Sequence, residues 1–104
     1  MKTINTKNAP QAIGPYSQAK IVGNLVFTSG QIPLNAEGEI VMNNFELECE
    51  QVLINLEAIL KASGSSMSNI IKLTVYLTDL SKFDILNNVF EKYFKDYLPA
   101  RSTV

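Results

Sequence analysis

Residues 44–64 read NFELECEQVLINLEAILKASG and form the most regular stretch of the chain. Apolar residues recur in it at spacings of three and four, which is typical of a helix that buries one face; they are Phe45, Cys49, Val52, Leu53, Leu56, Ile59 and Leu60. Asn44 is a suitable N-cap, acidic residues crowd the first turn, and Gly64 suits the position just after the helix. The pattern predicts a helix in which Cys49 packs in the core and is not a nucleophile.

The chain that follows this helix has two further patterns. Residues 70–78 alternate between apolar and polar side chains, which predicts a strand with one buried face. Ser81 and Asp84 have the spacing of a capping box, and a second amphipathic helix is predicted after them. Its apolar stripe consists of Phe83, Leu86, Val89, Phe90, Tyr93 and Phe94. Pro99 ends that pattern, and residues 100–104 are expected to begin another strand.

The chain before the first helix is expected to be extended. Residues 3–5 could form a short strand, and residues 17–22 and 25–29 flank Gly23-Asn24, a turn sequence that predicts a hairpin. The element order is then strand, hairpin, helix, strand, helix, strand. This order predicts an α+β fold for residues 1–104 as a single domain, with a mixed β-sheet and two helices packed on one face.

Composition restricts the possible chemistry. The 104 residues contain one cysteine and no histidine, so no internal disulfide is possible and the most common metal ligand and general base is lacking. We therefore expect no metal and no cofactor. The formal net charge of −1 gives no reason to expect nucleic acid or an anionic membrane as partner. Neither a signal peptide nor a membrane-spanning stretch is recognisable, which makes the cytoplasm the expected location.

Three motifs carry a resemblance to a known family. They are Asn8-Ala9-Pro10 with Ile13-Gly14-Pro15-Tyr16-Ser17-Gln18-Ala19, then Thr28-Ser29-Gly30-Gln31-Ile32-Pro33, then Leu98-Pro99-Ala100-Arg101-Ser102-Thr103-Val104. Their order and spacing, and the elements between them, resemble the Rid/YjgF family of reactive intermediate deaminases. The resemblance implies a fold like that of bacillus-type chorismate mutase, assembled as a homotrimer with active sites in the clefts between subunits.

The same resemblance implies an activity and a site. The activity is that of a 2-iminobutanoate/2-iminopropanoate deaminase, which hydrolyses reactive imines and enamines of amino-acid metabolism to 2-keto acids and ammonia. Arg101 would hold the substrate carboxylate, Tyr16 would act beside it in the cleft, and the remaining substrate-binding residues would be Ser29, Gly30, Asn87 and Thr103. The partners would be a small 2-imino or 2-keto acid and other copies of the chain.

The sequence departs from the family pattern at two points. Thr103 stands where many members have cysteine, which preserves a backbone contact but not a thiol role. The family also has a further strand, carrying a glutamate that positions the attacking water, and the sequence stops before it. We therefore expect that residues are missing after Val104, and that a chain truly ending there would be a poor deaminase although it could still bind a 2-keto acid.

Simpler interpretations exist for each residue and for the function. Without the family pattern, Arg101 would be read as a solvated surface residue and Tyr16 as a packing aromatic. Asn87 could simply face solvent. Two functions compete with the deaminase: a regulatory module that binds keto acids without turnover, and an endoribonuclease or translation inhibitor. The balanced charge argues against tight RNA binding.

Overall fold

The computed structural model describes residues 1–104 as an α+β protein with five strands and two helices. The elements are β1 (Lys2–Ile4), β2 (Ala19–Val22), β3 (Leu25–Thr28), α1 (Phe45–Ala62), β4 (Lys72–Val75), α2 (Phe83–Tyr93) and β5 (Ala100–Thr103). Short 3-10 turns lie at Met67–Asn69 and Leu80–Lys82. The α+β class and the predicted order of elements are confirmed. No helix is both long and apolar enough to cross a membrane.

The strands form antiparallel and parallel pairs, as a mixed arrangement requires. β1, β2 and β3 make an antiparallel ladder in that order, and β4 pairs with β5 in parallel. The hydrogen-bonded ladders are separate, so β3 and β4 each keep one edge without a neighbour. The predicted hairpin is confirmed, because β2 and β3 pair through a turn in which Gly23 has a φ of 59°. Glycine adopts that left-handed conformation without steric cost.

Helix α1 begins and ends at the residues that its sequence indicates. The Oδ1 atom of Asn44 accepts a hydrogen bond of 3.1 Å from the backbone N–H of Leu47, which satisfies one of the free donors of the first turn. Gly64 follows the C-cap with a φ of 79°, the left-handed conformation that ends many helices. Local signals alone therefore determine both ends of the longest element.

The start of α2 differs from its prediction, because the capping box at Ser81 and Asp84 is wrong. The chain makes the 3-10 turn Leu80–Lys82 first, so Ser81 lies inside that turn and the N-cap residue Lys82 makes no side-chain cap. The capping group is Asp79, whose Oδ1 accepts a hydrogen bond of 2.9 Å from the Ser81 N–H. Hydrogen bonding to Ser81 lowers the pKa of the Asp79 carboxyl, because it stabilises the charged form.

Strand β4 is shorter than the alternating pattern over residues 70–78. Its partner β5 is only four residues long, with Lys72 opposite Ala100 and Val75 opposite Thr103, and single hydrogen bonds at Ile71 and Leu77 continue the pairing at either end. Pairing ends where the partner ends, so Ile71 stays exposed although its place in the pattern predicted burial. Val75 and Leu77 pack against the core, as predicted.

The core lies between the helices and the strands. Its larger cluster is formed mainly by α1 and α2, with β4 and one residue of β3 packed against it. The buried members are Cys49, Leu53, Leu60, Met67, Leu86, Val89 and Phe94. A smaller cluster of Ile4, Ala9, Ala19 and Ile59 joins the first ladder to α1. Both helices therefore pack against one side of the β-structure, as predicted.

The buried Cys49 thiol should be unreactive. Burial, together with the neighbouring carboxylates of Glu48, Glu50 and Glu46, raises its pKa from the ordinary 9.0 to about 11. The thiolate is the reacting species. A pKa that is two units higher leaves about a hundredfold less thiolate near pH 8. We expect a disulfide reagent to modify the native chain at least about 100-fold more slowly than the urea-unfolded chain. Cys49 is the single cysteine, so the signal has one source; comparable native and unfolded rates would contradict the prediction.

Candidate functional site

Arg101 lies on β5 and extends across α2. Its Nη1 atom donates a hydrogen bond of 2.8 Å to Oδ1 of Asn87. Its guanidinium carbon is 5.1 Å from the ring centroid of Phe83 and 5.3 Å from that of Phe90. These three α2 residues share a helix face, because Asn87 and Phe90 follow Phe83 by one and two turns. The side chain of Arg101 is thus fixed by one hydrogen bond and two aromatic rings.

The guanidinium of Arg101 has no acidic partner. No Asp or Glu oxygen lies within the 4.0 Å that defines an ion pair; the ion pairs of the chain join Lys61 to Glu57 and Lys92 to Glu46 and Glu50. Guanidinium has five N–H donors, and Asn87 takes one of them. The planar fork that remains matches the two oxygens of a carboxylate. A half-buried, oriented and uncompensated cation is the arrangement expected of an anion site.

Thr103 is the second polar residue on this face of β5. Alternate strand residues point the same way, so the side chains of Thr103 and Arg101 share the face that β4 turns toward the core. The Oγ1 atom of Thr103 is buried and has no hydrogen-bond partner. Leaving a buried hydroxyl without a partner costs about 1–3 kcal/mol. Arg101, Asn87 and Thr103 together are called the arginine half-site.

A second group of predicted residues surrounds the end of the hairpin. The backbone N–H of Ser29 donates to the Gln18 carbonyl at 2.9 Å, and its hydroxyl donates to the Ser17 carbonyl at 2.6 Å. The Tyr16 hydroxyl accepts a hydrogen bond of 3.3 Å from the Ile13 N–H and remains half exposed. Tyr16, Ser29 and Gly30 together are called the loop half-site.

Two depressions meet at the loop half-site. A small pocket of about 70 Å³ is lined by Pro10, Gln11, Ile13, Tyr16, Gln18, Gly30, Gln31, Ile32 and Leu34. A wider, open depression beside it is lined by Tyr16, Ser17, Ala19, Lys20, Phe27, Thr28 and Ser29. No residue of the arginine half-site lines either of them. Within one chain, the six predicted residues therefore lie in two separate groups.

Gly30 is not required by the backbone of its own chain. It does not adopt a positive φ, and a Cβ atom built on it would meet no atom within 4 Å. A glycine in a strand-end position with open space is suited to close approach by another molecule. Neither the backbone conformation nor the packing of the chain therefore requires glycine at position 30.

We expect Gly30→Val to separate folding from binding. A Cβ atom at position 30 has free space and the backbone does not need a positive φ, so the free energy of unfolding should change by less than about 0.5 kcal/mol. The affinity for 2-ketobutyrate should fall at least about tenfold, because the side chain fills the space that a ligand needs. Chemical denaturation and calorimetric titration measure the two quantities. Unchanged affinity would show that no ligand approaches Gly30.

Two functional candidates escaped the sequence analysis. Gln18 and Asn55 are the two buried polar residues of the protein. The signal for Asn55 was an asparagine in the middle of a helix, where its side chain competes with the backbone for hydrogen bonds. Gln18 lies within the first motif, but a strand-like pattern does not indicate which polar residues are buried. No group of three or more His, Cys, Asp and Glu side chains that could hold a metal ion is present.

Comparisons with known proteins identify the family of the chain. The family described as Endoribonuclease L-PSP matches residues 6–104. A 2-iminobutanoate/2-iminopropanoate deaminase of Dermatophagoides farinae is 41% identical over 104 residues, which are 99% of this chain and 81% of that protein.

Two solved structures are also closely similar. RidA from the Antarctic bacterium Psychrobacter has a TM-score of 0.95 at 44% identity, with 100% of this chain and 85% of that chain covered. The structure of TdcF from E. coli with bound serine has a TM-score of 0.95 at 42% identity and covers 100% of this chain and 84% of that one. The chain therefore belongs to the Rid/YjgF family.

Proposed function

We propose that this protein hydrolyses small 2-imino acids, such as 2-iminobutanoate and 2-iminopropanoate, to the corresponding 2-keto acids and ammonia. The observation that carries the proposal is the Arg101 guanidinium, which is oriented by Asn87, Phe83 and Phe90 and has no carboxylate partner. The deaminase name of the mite relative and the serine bound to TdcF support the same class of ligand, a small molecule with a carboxylate beside a carbon–nitrogen bond.

The proposed reaction depends on orientation. Arg101 holds the substrate carboxylate, and backbone groups at Ser29-Gly30 and near Thr103 complete its binding. Water adds to the imine carbon, a proton reaches the nitrogen, and the carbon–nitrogen bond of the resulting carbinolamine breaks to release ammonia. A protonated imine is already a good electrophile, so fixing the reactants supplies much of the acceleration. In this proposal the Tyr16 hydroxyl contacts the water or the nitrogen.

The proposed assembly is a homotrimer that joins the two half-sites across each subunit boundary. The residues of the arginine half-site do not line the two depressions at the loop half-site, and in this proposal a neighbouring chain brings the two half-sites into one cleft. Large apolar side chains around the loop half-site are exposed, among them Ile13, Phe27 and Ile32. Closed cyclic assembly buries such surface, which a domain of this size cannot cover alone.

We propose the cytoplasm as the location.

A second candidate function is binding of 2-keto acids without turnover, as a regulatory module. It requires only the oriented guanidinium of Arg101 and no group that activates water. Glu91, on α2 one turn after Asn87, is the nearest candidate for such a group by sequence, but it is exposed and makes no contact with Arg101. The endoribonuclease function is not favoured by any comparable group.

Ammonia release distinguishes the two candidates. The imine is generated in place by oxidising 2-aminobutanoate with an amino-acid oxidase and catalase, and the increase in ammonia over the buffer rate is measured. A deaminase accelerates release in proportion to protein concentration, whereas a binding module leaves the rate at that of buffer while calorimetry still detects 2-ketobutyrate. If the protein neither accelerates ammonia release nor binds 2-ketobutyrate, both proposals are refuted.

A further inference from the structure

The core contains two buried polar side chains, and both lie beside the same small pocket. Gln18 is 3% exposed and Asn55 is 1% exposed. Burying an amide is unfavourable unless its donors and acceptor find partners. Apolar side chains would pack at these two positions at lower cost. The hydrogen bonds of each amide therefore show which segment of the chain it holds.

Gln18 holds the segment before β2. Its Nε2 atom donates to the carbonyl oxygens of Thr6 at 3.1 Å and Pro10 at 2.9 Å, and its Oε1 atom accepts from the Thr6 N–H at 2.7 Å. All the hydrogen-bonding capacity of the amide nitrogen is thus directed at one irregular segment. That segment continues through Pro10 and Ile13 to Tyr16, which form one wall of the pocket.

Asn55 holds the segment after β3. Its Nδ2 atom donates to the carbonyl oxygens of Leu34 at 2.8 Å and Ile32 at 3.3 Å. Its Oδ1 atom accepts a hydrogen bond of 2.9 Å from Nε2 of Gln51, which lies one helical turn earlier on α1. This bond fixes the orientation of the Asn55 amide. Residues 30–34 form the opposite wall of the pocket and have no regular secondary structure.

We propose that Gln18 and Asn55 are positioning residues that set the two walls of the loop half-site, and thereby the substrate contacts at Tyr16 and Gly30. Each uses one side-chain amide to bind two carbonyl groups of an irregular segment, so each fixes the height and angle of that segment above the rigid hairpin or helix. The part of this proposal that concerns substrate rests on the proposed function; the part that concerns the walls does not.

The decisive variant is Asn55→Leu, which keeps the size of the side chain and favours the helix but removes both donors. We expect amide hydrogen exchange to accelerate at least about tenfold at Leu34 and Val41, whose N–H groups donate to the carbonyls of Ile32 and Pro33, while the amides of α1 remain protected. The affinity for 2-ketobutyrate should fall about tenfold, and KM for the imine should rise more than kcat falls, because a carboxylate contact is lost.

Three further variants complete the test. Asn88→Leu makes the same replacement at an exposed α2 asparagine without recorded hydrogen bonds, and exchange and affinity should stay as in wild type. Gln18→Leu should weaken ligand binding to a similar extent and accelerate exchange at Thr6 and Ile13 instead. Gln51→Ala removes only the hydrogen bond that orients Asn55, so it should change both quantities in the same direction by a smaller factor, even where Asn55→Leu fails to fold.

Two results would overturn the proposal: unchanged exchange at Leu34 and Val41 in Asn55→Leu and Gln51→Ala, or accelerated exchange with wild-type affinity and KM. A wild-type protein that neither binds 2-ketobutyrate nor hydrolyses the imine would refute the proposed function. In that case the substrate part of this inference falls with it, and the exchange measurement alone decides whether the two amides hold the walls.

Discussion

Arg101→Ala should abolish turnover and keto-acid binding while leaving the fold intact. Truncating one partner of a desolvated, hydrogen-bonded charge pair costs about 2–5 kcal/mol, which corresponds to roughly a 30-fold to several-thousand-fold loss of affinity. The fold should tolerate the change, because residue 101 pairs with Leu73 of β4 through its backbone and not through its side chain. Calorimetric titration with 2-ketobutyrate and the ammonia assay measure the losses.

The geometry around Arg101 makes a lysine substitute inadequate. Lysine has a point charge that cannot donate two parallel hydrogen bonds to a carboxylate while also reaching Asn87. Arg101→Lys should therefore recover little of the affinity. Lys95→Ala removes an exposed positive charge that forms no side-chain hydrogen bond or ion pair. It serves as the control for a general effect of charge. Imine hydrolysis at the wild-type rate by Arg101→Ala would show that the carboxylate is held elsewhere.

Sequence reasoning located the elements that depend on neighbouring residues. The N-cap at Asn44, the glycine at position 64 and the Gly23-Asn24 turn each act within about one turn of chain, so their chemistry is readable in order. The capping box failed because two cap signals overlapped: Asp79 lies two residues before Ser81, and the earlier of the two captured the backbone N–H. Strand β4 was overestimated because its length is set by β5, a partner 25 or more residues away.

The site was predictable only as a set of residues, and its arrangement was not. The family motifs singled out Tyr16, Ser29, Gly30 and Arg101, but periodicity cannot show that Arg101 lines neither of the depressions beside Tyr16. Nothing in the sequence indicated that the Arg101 guanidinium packs on two aromatic rings. Phe83 and Phe90 read as core residues of an apolar stripe, whereas the structure leaves Phe83 partly exposed beneath the guanidinium. Long-range hydrogen bonds such as Asn55 to Leu34 leave no local pattern at all.

Two inactive variants should restore activity when their subunits are mixed. Gly30→Val weakens the loop half-site and Arg101→Ala disables the arginine half-site, so neither homo-oligomer should bind 2-ketobutyrate appreciably at a concentration near the wild-type Kd. If each site takes one half from each of two neighbouring subunits, random assembly from equal amounts gives two intact halves at about one site in four. Co-expressed subunits with different tags should therefore show about a quarter of the wild-type number of 2-ketobutyrate sites.

The double variant Gly30→Val/Arg101→Ala, co-expressed with wild type, supplies the control that decides between shared and single-chain sites. Shared sites again require two independent choices, so about a quarter should be intact, whereas single-chain sites would remain intact in every wild-type subunit, or about half. Single-chain sites would also give no binding at all in the mixture of the two single variants. Because the quarter is the same for any closed ring, sedimentation equilibrium must supply the subunit number: a mass three times that of the chain is expected, and a monomer at micromolar concentration would remove the basis for a shared cleft.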